Sequence, residues 1–151
     1  MAALITRRQT LGTAESLTGG LLGAAITAVP GASAAYRGGV VPYATELKHA
    51  LAGVPEAVLD AHGPVSEATA LALATGVRDV TGADWGLATT GVAGPEPQDG
   101  HLPGEVWVGL AGPQGEPRAV RYRFTGDRRA VREATVDAAL LLLATAVGAA
   151  A

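Results

Sequence analysis

One segment of the chain combines a hydroxyl side chain with a turn of small residues. Ser16 follows an apolar stretch, and Thr18, Gly19 and Gly20 precede the next apolar run. A strand that turns into a helix in this way leaves N–H groups unpaired at the helix start, where they can hold a phosphate or stabilise an oxyanion. The alternative is structural, because Ser16 or Thr18 could cap the helix while the glycines permit close packing.

A serine hydroxyl needs a base, and the most distinctive candidate is Lys48. It is the sole lysine among 11 basic residues, and a desolvated lysine can lose its proton whereas arginine stays charged. Tyr43 lies five residues earlier, so its phenol and the amine could meet at one edge of a sheet. The alternatives are a lysine on a solvated helix face and a tyrosine at the rim of the core. Three histidines are interpreted as surface or turn residues: His49, His62 and His101.

Two arginines near the carboxyl terminus could bind an anion. Arg128 and Arg132 are four residues apart on a predicted helix, so they project from one face. Two guanidinium groups on one face suit a phosphate. The alternative is a solvated first turn in which these arginines pair with Asp127 and Glu133.

A further candidate is the end of the predicted third strand. Thr90 ends that strand, and Gly91 begins a loop rich in glycine and proline that continues to Gly104. Ligands of open α/β sheets bind at the carboxyl ends of strands, and long irregular loops in compact domains are often functional. Thr90 and Gly91 are therefore predicted to contact substrate.

Hydrophobic patterning predicts the elements that position these residues. Helices are expected at 2–8, 21–29, through 48–51, at 55–61, at 68–80 after an N-cap at Ser66, and from 128 onwards. Strands are expected at 11–14, 38–43, 85–90, 105–111 and 118–124, with the last two forming a hairpin. Early strands separated by helices, followed by a hairpin and a closing helix, predict an α/β fold: a three-layer α/β/α sandwich on a mixed parallel and antiparallel sheet.

Composition narrows the class of protein. The 151 residues fit one domain over 1–151, and 48% hydrophobic content is typical of a compact globular protein. A net charge of −3 argues against direct nucleic-acid binding, and the absence of cysteine excludes disulfides and thiolate metal sites. No histidine spacing suits zinc, so no metal is expected. The apolar run 138–151 is too short to span a bilayer, and no leader is evident, so a cytoplasmic protein without membrane contact is predicted.

Several motifs in register resemble one family. The strings are TAESLTGGLLGAAIT, VPGASAAYRGGVVPYATELKHALAGV, HGPVSEATALALA, GADWGLATTGVAGPEPQDG, GEVWVGLA and GDRRAVRE. Together they resemble the CinA C-terminal domain family over Leu11 to Leu143. The resemblance implies a hydrolase that converts nicotinamide mononucleotide to nicotinic acid mononucleotide and ammonia without a metal or redox cofactor.

The resemblance also implies roles for individual residues. Ser16 would be the nucleophile, Tyr43 and Lys48 its activating partners, and either Arg128 or Arg132 a ligand for the substrate. We expect burial and nearby positive charge to keep Lys48 neutral, so that it accepts the Ser16 proton directly or through Tyr43. Backbone N–H groups from Thr18 to Gly20 are expected to hold the oxyanion.

Two other classes of function fit the same sequence. A small glycine-rich pocket can bind a nucleotide without chemistry, and the family's association with competence and DNA damage suggests a protein-interaction module. The apolar carboxyl-terminal helix suggests an oligomerisation domain, so we expect a homo-oligomer.

Overall fold

The computed structural model describes residues 1–149, and its elements alternate as the sequence predicts. Helices are α1 (Ala2–Thr6), α2 (Leu21–Thr27), α3 (Thr45–Ala52), α4 (Glu56–His62), α5 (Glu67–Thr81) and α6 (Arg128–Ala149). Strands are β1 (Leu11–Glu15), β2 (Tyr36–Val40), β3 (Trp85–Gly91), β4 (Glu105–Ala111) and β5 (Arg118–Arg123). Residues 150 and 151, the end of the predicted apolar run and of the predicted domain, lie outside the described range.

The strands form one mixed sheet in the order β2-β1-β3-β4-β5. The first three are parallel, and β4 and β5 join antiparallel to the edge of β3. In this register Ala14 pairs with Ala88 and Glu15 with Thr89, so β1 and β3 end side by side. The predicted mixed sheet and the predicted hairpin are confirmed.

The predicted strand at 38–43 is displaced in the structure. Strand β2 runs from Tyr36 to Val40, and Tyr36 pairs with Leu11. Pro42 has no N–H to give to a ladder, so the apolar residues from Val41 onwards leave the sheet. They form the segment that connects β2 to α3 instead.

Helices cover both faces of the sheet, which confirms the three-layer arrangement. On one face Leu87, Val106 and Val108 share a buried cluster with residues of α1, α2 and α6. On the other face Ala14, Ala88 and Ala111 pack against α3, α4 and α5. Strands β1, β3 and β4 each supply both clusters because alternate residues face opposite sides.

Helix α5 lies unusually close to the sheet. A Cβ added at Gly86 would meet the carbonyl oxygen of Ala74, and one added at Gly109 would meet that of Ala70. Two glycines on adjacent strands therefore leave room for the α5 backbone itself. This close approach fixes the position of the helix whose N-cap, Ser66, accepts a hydrogen bond from the Thr69 N–H at 3.1 Å.

Helices α2 and α6 are rich in apolar residues but only partly buried. In α2 only Leu22 and Ile26 are buried, and in α6 Leu141 is 69% exposed while Leu143 is buried. Both helices belong to an outer layer, so each presents one stripe to the core. Packing of α6 against a second copy of the chain stays a prediction. No helix within residues 1–149 combines the length and apolarity needed to cross a membrane.

Candidate active site

A cleft opens where the carboxyl ends of β1 and β3 meet. The chain runs from β1 to β2 on one side and then returns across β1 to β3 on the other, so the strand order reverses between β1 and β3. Such reversals create a crevice where ligands bind in open α/β sheets. The space inside the cleft, counted out to its open mouth, is about 530 Å³. Among the residues that line it are Ser16, Tyr43, Lys48, Thr90, Gly91 and Arg128.

The floor of this cleft holds a serine and a lysine in contact. Ser16 follows β1 directly and is 8% exposed, while Lys48 lies in α3 and is 1% exposed. The Lys48 Nζ is 3.1 Å from the Ser16 Oγ. It also donates to the carbonyl oxygens of Pro42 at 3.0 Å and Tyr43 at 3.4 Å. A neutral amine has two N–H bonds for these carbonyls and a lone pair left for the Ser16 proton.

Burial lowers the pKa of Lys48 from 10.5 to about 8, because desolvation penalises the charged ammonium. The nearby charge is Glu46, which acts in the opposite direction and raises the pKa. Burial was therefore predicted correctly, whereas the expected contribution of nearby positive charge is wrong. A pKa near 8 leaves a useful fraction of the amine neutral at physiological pH.

Tyr43 lines the cleft, and the hydrogen-bond partner of its phenol is Arg128. Tyr43 is 56% exposed, and its hydroxyl accepts a hydrogen bond from Arg128 Nη2 at 2.9 Å. Tyr43 contacts Lys48 through its backbone carbonyl. The geometry thus favours direct proton transfer from Ser16 to Lys48 over transfer through the phenol.

The two candidate arginines have different surroundings. Arg128 lines the cleft, where Nη1 donates to the carbonyl of Gly94 at 2.8 Å. Arg132 turns towards the segment after Ser16, where Nε donates to the Leu17 carbonyl at 3.0 Å and Nη2 to the Thr18 carbonyl at 2.9 Å. Both guanidinium groups make two hydrogen bonds, but Arg128 lines the cleft and Arg132 does not, so Arg128 is the better placed candidate for a substrate anion.

The turn after Ser16 uses its polar groups internally. The Glu15 carboxylate, which is buried, accepts from the N–H groups of Gly20 at 3.0 Å, Leu22 at 2.9 Å and Gly23 at 2.8 Å. The Gly19 N–H donates to the Ser16 carbonyl at 3.0 Å. The start of α2 therefore holds the protein's own carboxylate. The expectation that Gly19 and Gly20 provide oxyanion donors is wrong.

The hydroxyl groups of Thr18 and Thr90 make hydrogen bonds within the protein. The Thr18 hydroxyl is fully buried against that of Thr89 at 2.8 Å. The Thr90 hydroxyl donates to the Pro64 carbonyl at 2.6 Å, so only its lone pairs are available to a ligand. Thr18 is a structural residue here, whereas Thr90 lines the cleft.

The loop after β3 is tied down near its end. Buried Glu105 accepts from the Leu102 N–H at 2.9 Å and pairs with the Arg121 guanidinium. Both contacts lower the pKa of the Glu105 carboxyl, and the hydrogen bond from the Leu102 N–H has the larger effect. The same loop contributes Glu96 and Gln98 to the cleft wall. Neither residue was predicted at the site, because loop residues without a periodic pattern give no sign of which way they face.

Glu15 was also not among the predicted site residues. Its signal was present, since an acidic residue at the end of a buried strand needs several donors, and a turn with two glycines supplies exposed N–H groups.

Comparison with known proteins gives the family. The family model described as the CinA C-terminal domain matches residues 1–147. The chain belongs to the CinA C-terminal domain family. A CinA-like protein of Frankia casuarinae is 53% identical over 144 residues, which are 95% of this chain and 33% of that protein. A putative competence-damage inducible protein of Lactiplantibacillus plantarum is 46% identical over 140 residues, which are 93% of this chain and 33% of that protein. The chain spans about a third of the length of these curated relatives.

Solved structures of CinA superfamily proteins share the fold. One from Klebsiella pneumoniae has a TM-score of 0.93 and 39% identity, covering 97% of this chain and 92% of its own. A competence/damage inducible protein from Agrobacterium tumefaciens has a TM-score of 0.91 and 32% identity, covering 97% and 90%. The CinA-type α/β fold is therefore established for this chain.

Proposed function

We propose that this CinA-family domain is an amidohydrolase that acts on the carboxamide of nicotinamide mononucleotide. The observation that carries the proposal is the buried Lys48 amine, 3.1 Å from the Ser16 hydroxyl and with a pKa lowered to about 8. A nucleophile in contact with a base of near-neutral pKa is what acyl transfer requires. The family resemblance contributes the identity of the substrate.

The reaction balances with these two side chains and water. Neutral Lys48 takes the Ser16 proton as Oγ bonds to the carboxamide carbon, and the C=O electrons move onto oxygen. When the C=O bond reforms, the C–N bond breaks and the lysine proton leaves with ammonia. Water then adds to the acyl-enzyme with Lys48 again as base, which releases the carboxylate and restores Ser16.

Arg128 gives the substrate a second point of attachment. Its guanidinium lies at the edge of the same cleft, is held by Gly94 and Tyr43, and has donors in the planar arrangement that suits a phosphate. A nucleotide anchored there by its 5′-phosphate would extend its base into the cleft towards Ser16.

Ammonia release from nicotinamide mononucleotide tests the proposal, with Ser16→Ala and Lys48→Arg measured beside the unaltered protein. We expect turnover in the unaltered chain and none in either variant, because arginine keeps its charge and cannot serve as base. Ser66→Ala is the matched control, since Ser66 caps α5 and lies outside the cleft. Binding of the nucleotide without ammonia release by folded protein would support a non-catalytic nucleotide-binding module instead.

A further inference from the structure

Amide hydrolysis through Ser16 places negative charge on the former carbonyl oxygen, and that charge needs a donor inside the cleft. Two of the expected donors are already used, since the Gly19 N–H binds the Ser16 carbonyl and the Gly20 N–H binds Glu15. Another candidate donor lies in the cleft wall at the end of β3.

The ladder between β1 and β3 shows where a free N–H lies. The Trp85 N–H donates to the Thr10 carbonyl, and the Thr89 carbonyl accepts from the Ser16 N–H, both at 2.9 Å. Backbone groups of alternate residues in a strand point to the same side. Gly91 is two residues beyond Thr89, so its N–H also points towards the β1 side of the sheet.

The groups on the other side of β3 confirm this alternation. The Val92 N–H donates to the Glu105 carbonyl at 2.9 Å, and the Gly104 N–H donates to the Val92 carbonyl at 2.8 Å. The backbone N–H and C=O of Val92 therefore point towards β4. This is the side opposite to that expected for the adjacent Gly91.

Strand β1 ends before it can pair with Gly91. Its last residue is Glu15, and the next acceptor in the ladder would be the Ser16 carbonyl, which turns to accept from Gly19 instead. Within residues 1–149, the Gly91 N–H is left without a backbone partner in β1, beside Ser16 and in the wall of the cleft. An unpaired N–H next to a nucleophile is the arrangement of an oxyanion donor.

We propose that the Gly91 N–H stabilises the oxyanion that forms when Ser16 attacks the substrate amide. This inference rests on the proposed function and adds a catalytic group to it. A Cβ at residue 91 would lie 2.5 Å from the Glu105 carbonyl oxygen, so the packing of β3 on β4 requires glycine independently. A side-chain substitution would therefore disturb the fold, and the test must change or observe the N–H itself.

The first experiment observes the amide by ¹H–¹⁵N NMR. The probe is an analogue of nicotinamide mononucleotide in which a boronic acid replaces the carboxamide and forms a tetrahedral adduct with serine. We expect the signal of the Gly91 amide proton to shift downfield in the adduct, and this proton to exchange more slowly with solvent. The amide signals of Gly19 and Gly20 should not shift. Ser16→Ala with the same analogue is the control and should show no such change. Movement of Gly19 or Gly20 with Gly91 unchanged would overturn the inference.

The second experiment removes the N–H without adding atoms to the side chain. Glycolic acid at position 91 replaces the amide by an ester, and the same replacement at Gly115, in the β4–β5 turn, is the control. We expect kcat to fall by about 10²–10³ with KM little changed at position 91, and no change at position 115. Unchanged kcat in the Gly91 ester would refute the Gly91 role while leaving the amidohydrolase intact. Absence of ammonia release from the unaltered protein would instead refute the proposed function.

Discussion

At the scale of single residues, the protonation of Lys48 controls the proposed chemistry. Below its pKa of about 8 the amine is charged and cannot accept the Ser16 proton, whereas above it the amine is neutral. We expect kcat/KM to rise tenfold per pH unit below pH 8 and to level off above it. Steady-state ammonia release between pH 6 and 9.5 measures this profile. A flat profile through pH 8 would contradict the assignment of Lys48 as base.

The role proposed for Arg128 leads to a separate prediction about substrate binding. Removing a charge-assisted contact with phosphate is worth about 1.5–3 kcal/mol, so Arg128→Ala should raise KM for nicotinamide mononucleotide roughly tenfold to a hundredfold. The KM for nicotinamide riboside, which lacks the phosphate, should change little. Arg129→Ala is the matched control, because Arg129 is adjacent, exposed and paired with Glu133. Equal effects of Arg128→Ala on both substrates would remove the phosphate contact.

Residue types and spacing predicted Ser16, Lys48 and Arg128 at the cleft but left the roles of their neighbours open. Arg132 could not be separated from Arg128 by sequence, since both project from one helical face. The distinction depends on carbonyls more than a hundred positions away, at Leu17 and Thr18. Local patterns carry no information about such long-range partners.

At the scale of elements, the contact between α6 and the turn after β1 holds the segment that carries Ser16, the proposed nucleophile. Arg132 holds two successive carbonyls of that turn, and Glu15 holds the start of α2. Arg132→Ala should lower kcat about tenfold to a hundredfold with KM nearly unchanged, because small displacements of reacting groups are costly. It should also lower the free energy of unfolding by about 2–3 kcal/mol.

The conservative variant separates positioning from general damage to the fold. Arg132→Lys retains the charge but offers one point donor in place of a fork, so kcat should recover only in part while thermal stability recovers more fully. Kinetics and thermal unfolding of both variants, beside Arg129→Ala, measure this. An increase in KM for the nucleotide but not the riboside in Arg132→Ala would show that Arg132 binds phosphate after all.

Most elements could be predicted because turns and apolar periodicity are local. The main displacement, at β2, arose where Gly38 and Gly39 lie inside a strand and the segment from Val41 to Tyr43 lies outside it. Helices α2 and α6 are also rich in apolar residues, yet each contacts only one face of the sheet. Composition reports how apolar an element is but not how much of it is covered.

At the scale of the whole molecule, the 2-1-3 order of the parallel strands assembles the site. Ser16 follows β1, Gly91 ends β3, Lys48 lies in α3 and Arg128 begins α6. Sequence patterning predicted a mixed sheet. In such a sheet the carboxyl ends of the parallel strands lie together at one edge. The register of β1 against β3, which leaves the Gly91 N–H beside Ser16, depends on tertiary pairing and could not be obtained from local pattern.

Burial of the Lys48 amine also links the site to the stability of the whole fold. Below pH 8 the amine is charged in both folded and unfolded chains, so the folded state carries the full penalty of burying it. Between pH 8 and 10.5 the folded chain has released the proton while the unfolded chain retains it, so the stability of the protein must rise with pH in this window. Relative to Lys48→Met, the unaltered protein should gain up to about 3 kcal/mol across that range.

Urea unfolding of the two proteins at intervals from pH 7 to pH 10 measures this difference. Lys48 is the sole lysine, and every other titrating group is common to both proteins, so the pH dependence of the difference isolates this amine. The rise should begin near the same pH at which kcat/KM levels off, because one ionisation governs both. A difference that stays constant with pH would mean that Lys48 titrates normally, and the serine would then need another base.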